Sequence, residues 1–210
     1  MTAHLPVPLK VPWDLKENPT AKSGFDKLQD GRTRYWIDEV LAGITPEMLA
    51  RWFSHLDGDT DLDGRRVPKY RAWHPYDHVY VEYIRRSPNE SIGPGAQAAN
   101  LEYLQRDPRY KIQVVATFER LDNECMIHNV EIAGLHLARM EHVYEKVVGG
   151  TRFEHTLYIP GAPMPVLGKW LTPLYWHPKD KGQRWLGHGI EEMGNLPNFL
   201  PALYEREQAG

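Results

Sequence analysis

YKIQVVATFERLDNECMIHNVEIAG, residues 110–134, decides the fold class. Its first half is apolar and β-branched, as strands are, and Asp122, Asn123 and Glu124 supply turn residues before a second apolar run opens at Cys125. Outward from there, LHLARMEHVYEKV (135–147) leads through Gly149 and Gly150 to TRFEHTLYIPG (151–161). Parallel neighbours need a long crossover, so runs joined this tightly form an antiparallel meander. Side chains alternate with period two along a strand, which puts His136, Ala138, Met140, His142 and Tyr144 on one face. Two His and a Tyr among Ala and Met are too polar for a dry core. That face reads as a pocket wall.

Two helical patterns flank the meander. ITPEMLARWFSHL (44–56) offers Thr45 as N-cap, Pro46 at the first helical position and Glu47 in the first turn, with Met48, Leu49, Trp52, Phe53 and Leu56 as its apolar stripe. WLGHGIEEMGN (185–195) falls in a second helix expected over 181–196, which Pro197 and Pro201 break or restart. The result is an α+β layout, a late helix lying across a curved antiparallel sheet with a cavity between them. Residues 1–44 read as an N-terminal arm ending in a short amphipathic piece, YWIDEVLAG (35–43), and residues 45–210 as the domain proper. Proline-rich IPGAPMPVLGKW (159–170) links the meander to the last helix.

Bulk properties narrow the function classes. A formal net charge of −3 over 210 residues, with Lys and Arg scattered, argues against nucleic acid or an anionic membrane as partner. The single Cys125 forms no intrachain disulfide, the first residues lack the apolar core of a signal peptide, and no run approaches the roughly 20 apolar residues of a membrane span. A cytoplasmic protein is expected. Seven Trp, eleven Tyr and ten His give many flat side chains with an apolar body and a polar tip, the kind that lines pockets for aromatic ligands.

Three stretches carry candidate chemistry. In HGIEE, His188 and Glu192 are four apart and share a helix face, which suits two ligands of one metal and equally a wet surface. In YRAWHPYDHVYVEY (70–83), either His74 or His78 is a candidate ligand, with Asp77 or a backbone carbonyl orienting the ring. In GPGAQAANLEYL (93–104), Glu102 sits in an apolar run and needs a partner, commonly Arg, less commonly a metal. His78, Glu102, His188 and Glu192 together would suit Zn2+, with Fe2+ or Mn2+ also compatible. DGDTDLDGRR (57–66) only mimics a calcium loop: counted from Asp57, the sixth and twelfth positions hold Leu62 and Pro68 where the EF-hand needs Gly and Glu. It reads as a solvated turn.

The order TPEMLARWF, KYRAWHPYDH, GPGAQAANLEY, HGIEEMGN resembles the 2,4-diacetylphloroglucinol hydrolase family, which also contains phloretin hydrolase, over most of residues 45–200. The resemblance implies a Bet v 1-like helix-grip fold and a Zn2+-dependent hydrolase acting on the carbon–carbon bond between an acyl group and a phenolic ring. Its metal ligands would be His78, Glu102, His188 and Glu192. Tyr70 would touch the substrate, with His142 and Tyr158 as the further catalytic candidates. The implied partner is a small phenolic ketone, and a homodimer is a further expectation. A helix-grip binding protein for a hydrophobic aromatic ligand, without chemistry, is the alternative from a different class, because the fold serves both roles. An iron-dependent oxygenase fits less well, since four protein ligands leave fewer open positions than a 2-His-1-carboxylate triad.

Overall fold

The computed structural model describes residues 5–62, 64–88, 92–132, 135–159 and 180–209. Its strands in chain order are β1 (Lys22–Lys27), β2 (Thr33–Ala42), β3 (Asp59–Leu62), β4 (Arg65–Pro68), β5 (His78–Arg85), β6 (Gln97–Leu104), β7 (Asp107–Leu121), β8 (Cys125–Ile132), β9 (Leu135–Val147) and β10 (Gly150–Ile159). The helices are α1 (Pro46–Ser54), α2 (Lys69–Trp73), α3 (Lys181–Asn195) and α4 (Leu200–Ala209). Strands β7 to β10 are the expected meander. They extend into an eight-stranded antiparallel sheet of order β1-β2-β10-β9-β8-β7-β6-β5, while β3 and β4 pair separately.

Helix α3 packs against both β2 and β6, strands from opposite halves of the sheet, so the sheet grips it. Its buried face includes Trp185, Leu186, His188, Gly189, Glu192 and Met193, the i, i+3, i+4 spacing of one helical stripe. Gly189 lets the helix come close: a Cβ there would lie 2.7 Å from Ile37 Cδ1 and 3.4 Å from His155 Nδ1. Helix α1 starts as its sequence predicts, with the Thr45 hydroxyl accepting from the Met48 N–H at 3.3 Å and Leu49, Trp52 and Phe53 buried. Among the described residues no helix is long and apolar enough to cross a membrane.

Three expectations are corrected. Residues 22–42 are not an arm but two strands of the sheet, and the piece expected at 35–43 lies in β2, paired with β10 from Thr33 to Ala42. The period of two was there in Thr33, Ile37, Glu39 and Leu41, all buried, but Glu39 and the polar flanks disguise it. The acidic turn at 57–66 holds the hairpin β3–β4, whose Thr60, Leu62 and Val67 point inward. Its Asp63, the proline-rich segment 160–179 and the side chain of His136 lie outside the described residues.

Asn195 joins distant parts of the chain. Its Nδ2 donates to the carbonyls of Ala72 and Trp73 at 3.0 and 2.7 Å, which the end of a helix leaves without partners. Its Oδ1 accepts from Trp13 Nε1 at 2.6 Å, and the Trp13 ring stacks on Phe199. One buried amide thus fastens α3 to α2 and to the N-terminal segment.

Candidate metal centre and ligand cavity

The antiparallel register of β5 and β6 places His78 directly opposite Glu102. A register shift follows at once between His78 and Tyr80, a bulge of the kind that re-aims side chains beside sites. Helix α2 ends just upstream, and the Tyr70 carbonyl lies 2.8 Å from His78 Nδ1. A carbonyl only accepts, so Nδ1 carries the proton and Nε2 is left with its lone pair free. The Tyr70 ring lies flat on the same imidazole, 3.8 Å between centroids and 4° between planes.

His188 arrives on α3 from the other side. Its Nδ1 is 2.9 Å from Asp77 Oδ2, which again puts the proton on Nδ1 and leaves Nε2 bare. Asp77, fully buried, also accepts the backbone N–H groups of Gln105 and Arg106 at 2.8 Å each. Those two residues form the loop between β6 and β7 and hold φ of 53° and 57°, left-handed values unusual for side chains other than Gly or Asn. Asp77 therefore fixes a strained hairpin loop and a histidine tautomer at once.

The bare nitrogens converge with two carboxylates. Glu192 Oε2 lies 3.3 Å from His78 Nε2 and 3.6 Å from His188 Nε2, and Glu102 Oε2 lies 3.7 Å from His78 Nε2. Ligand atoms of His78, Glu102 and His188 all lie within 4.8 Å of one another. Four atoms placed tetrahedrally about 2.1 Å from one ion would be about 3.4 Å apart. Both Nε2 atoms are buried with no hydrogen-bond partner, an arrangement that costs stability unless something accepts the lone pairs. The nitrogens and oxygens of His78, Glu102 and His188 are donors of the kind a zinc-like cation takes.

Burial, then repulsion from His188 and His74, pushes His78 well below its ordinary 6.5. Burial also pulls His188 down, but the Asp77 hydrogen bond and the charges of Glu192 and Glu102 outweigh it, leaving a pKa of about 9. Burial raises Glu192 to about 8 against the pull of His188. Burial is the largest cause of the Glu192 shift, as it is for Glu39, which is also raised to about 8. Burial and the Glu102 charge raise Tyr70 well above 10, so it stays a phenol and donates to Glu102 Oε2; Asn100 Nδ2 reaches the same oxygen at 3.3 Å.

Behind this group, His74, Asp77 and His188 form a second cluster. Because Asp77 already accepts three N–H groups, we read it as the support of His188 rather than a second ion site. His74 Nδ1 accepts from the Asp77 N–H, and its Nε2 lies 3.4 Å from Glu191 Oε2. Glu191 turns away from the cluster of ligands and takes both its hydrogen bonds from Arg106 Nη1, at 3.2 and 2.9 Å.

A cavity, partly open to solvent, adjoins the group. Glu102, His188, Glu192, Tyr70 and Asn100 line one end, and Ile112, Val114, Met140 and Leu157 give it an apolar wall. His142 lines it as expected, joined by His128 and by His155, whose ring lies against α3 at Gly189. Tyr158 does not reach it. Strand parity points His155 and Leu157 inward and Tyr158 outward, where Arg32 lies 5.0 Å over its ring. His155, His128 and Asn100 escaped the sequence reading; the parity of Phe153, His155 and Leu157 was the signal for the first of them.

No protein-family model and no curated protein matches the chain. Solved structures do, at low identity. Ara h 8.0201 aligns at 11% identity with a TM-score of 0.53, over 82% of this chain and 99% of its own. A protein from Rhodobacter sphaeroides aligns at 13% and 0.52, over 87% and 99%. The di-domain ARO/CYC protein StfQ of the steffimycin biosynthetic pathway aligns at 13% and 0.51, over 87% of this chain and 53% of its own. The chain therefore has the Bet v 1-like helix-grip fold, as expected.

Proposed function

We propose that this chain is a metal-dependent hydrolase of the carbon–carbon bond between an acyl group and a polyhydroxylated aromatic ring, in line with its resemblance to the 2,4-diacetylphloroglucinol and phloretin hydrolases. The observation that carries the reading is the convergence of His78, Glu102, His188 and Glu192, with both Nε2 atoms buried and unpartnered. Zinc, when bound there, supplies Lewis acidity towards an acyl carbonyl and water.

The reaction consumes one water. The aryl–acyl bond breaks, its electron pair goes to the ring, the ring carbon gains a proton, and the acyl group leaves as a carboxylic acid. Ring hydroxyls make this feasible because the departing ring is then an enolate rather than a bare carbanion. Tyr70 and Asn100 hold Glu102 in place, while Asp77 and the Tyr70 carbonyl hold the two imidazoles. His142, which also lines the cavity, is the imidazole we assign to hold a proton for the ring carbon. Ile112, Val114 and Leu157 offer the ring an apolar surface.

The test is metal analysis of the purified chain, paired with assays on acylphloroglucinols and phloretin. About one zinc per chain and release of a carboxylic acid are expected. A chain that takes up no metal after reconstitution would sink the proposal. That outcome would leave the second reading, a non-catalytic binding protein for an aromatic ligand. The apolar wall and the fold shared with an ARO/CYC protein favour it, but a carrier has no use for four converging ligand groups.

A further inference from the structure

The motif HGIEEMGN closes on Asn195, a residue the proposed chemistry leaves unused. Asn is a weak helix former, yet here it ends α3 fully buried. A buried amide has two protons to give and two lone pairs to fill, and this one does both in full. Its Nδ2 donates to the Ala72 and Trp73 carbonyls, and its Oδ1 accepts from Trp13 Nε1 at 2.6 Å and from Asn198 Nδ2 at 3.1 Å. Carbonyls only accept and an indole only donates, so the amide sits one way round and no other.

The two carbonyls end α2, the helix that supports half of the metal-like group. Tyr70 of α2 offers its carbonyl to His78 Nδ1, lays its ring on that imidazole and donates its hydroxyl to Glu102. The other half, His188 and Glu192, rides on α3. Three of the four side chains have a hydrogen-bond partner that aims them: the Tyr70 carbonyl for His78, Tyr70 and Asn100 for Glu102, and Asp77 for His188. Glu192 takes no hydrogen bond from a described residue; it faces the Nε2 atoms of His78 and His188, 3.3 and 3.6 Å away. Its place therefore follows from the backbone of α3. Asp77 ties that helix at His188, where it aims a ring, whereas Asn195 ties it three residues beyond Glu192 and on the same buried face.

We infer that Asn195, itself held by Trp13, is a positioning residue: it sets the height of α3 against α2 and so brings Glu192 to the three groups that other residues aim. Trp13 makes the N-terminal segment part of the same device, because its ring stacks on Phe199 while its N–H fixes the amide. The inference rests on the reading of His78, Glu102, His188 and Glu192 as one ligand group.

The experiment compares the full chain with Trp13→Phe and Asn195→Leu. The first keeps an aromatic ring against Phe199 and deletes one N–H; the second removes the whole amide. Chelator competition should show zinc held about tenfold more weakly in Asn195→Leu and about threefold in Trp13→Phe. Co2+ bound in place of zinc should give visible absorption bands altered in position and intensity in both, since those bands report ligand geometry. In metal-free chains the imidazole 15N signals of His78 and His188 should move, as their Nε2 atoms lose Glu192. A clasp that only stabilises the fold would lower the melting temperature and leave the bands and the 15N signals as in wild type, and that result would overturn the inference. If Asn195→Leu does not fold, Trp13→Phe decides alone. A wild-type chain that takes up no metal would remove the hydrolase proposal, and the metal-free 15N signals would still decide whether Asn195 places Glu192.

Discussion

Two groups of histidines beside one cavity use the same side chain in opposite ways. In the metal-like group, each imidazole has its Nδ1 committed to an oxygen, the Tyr70 carbonyl or Asp77, so Nε2 is left bare beside two carboxylates. In the other group, His128, His142 and His155 have Nδ1 uncommitted and no carboxylate beside them on the wall. The effect on protonation is large: His188 is raised to about 9, while burial and then the charges of His128 and His188 take His155 down to about 3. What an imidazole does is decided by the atom that holds its other nitrogen.

The sharpest way to break this contrast is to remove a carboxylate from the metal-like group. Glu192→Ala should lower zinc content from about one per chain to below about a tenth, and turnover by about a thousandfold or more. Metal analysis reads the first and the ketone assay the second. Unaltered zinc content would refute the ligand assignment. Asp77→Asn attacks the same group indirectly, by freeing Nδ1 of His188. Chelator competition should show zinc held about 10- to 100-fold more weakly. Melting should also come earlier, since a carboxylate anchors the left-handed loop at Gln105 and Arg106.

The other group is sharpened by pH. The folded pKa of His155 lies below its ordinary 6.5, so the unfolded chain binds the proton more readily. Its contribution to stability is complete above that value and is lost as pH falls towards about 3. Between pH 7 and pH 5, wild type should lose about 2 kcal/mol more than His155→Phe in urea unfolding, and an equal loss would show that the ring is not buried neutral. The smallest effect is expected at Glu191, one residue from a ligand yet facing Arg106. Glu191→Ala removes a partly exposed ion pair and should change zinc affinity and turnover by less than about threefold.

The sequence was legible where pattern and chemistry coincided. The meander could be read from alternation and α1 from Thr45 and Pro46, whereas the nearness of His78, Glu102, His188 and Glu192 was readable only through the resemblance. Strand β6 was harder, because QAANLEYL has no β-branched residue and takes its place from register with β5 and β7. Strand β2 hid behind Glu39, a buried acid in an inward position that burial raises to about 8. The single Asp77 was expected to orient a ring in its own segment; it orients His188 instead, across 111 residues. Contacts of that span leave no local trace.

That span also has a meaning in time. His78 and Glu102 face each other on neighbouring strands as soon as β6 has paired, whereas His188 and Glu192 enter only with α3, after the whole meander between them has been made. A chain emerging from the ribosome therefore carries half of the proposed centre through much of the second half of its synthesis, and two ligands hold an ion far less firmly than four. Metal uptake would then mark completion: the ion would be captured by finished molecules and stabilise those alone.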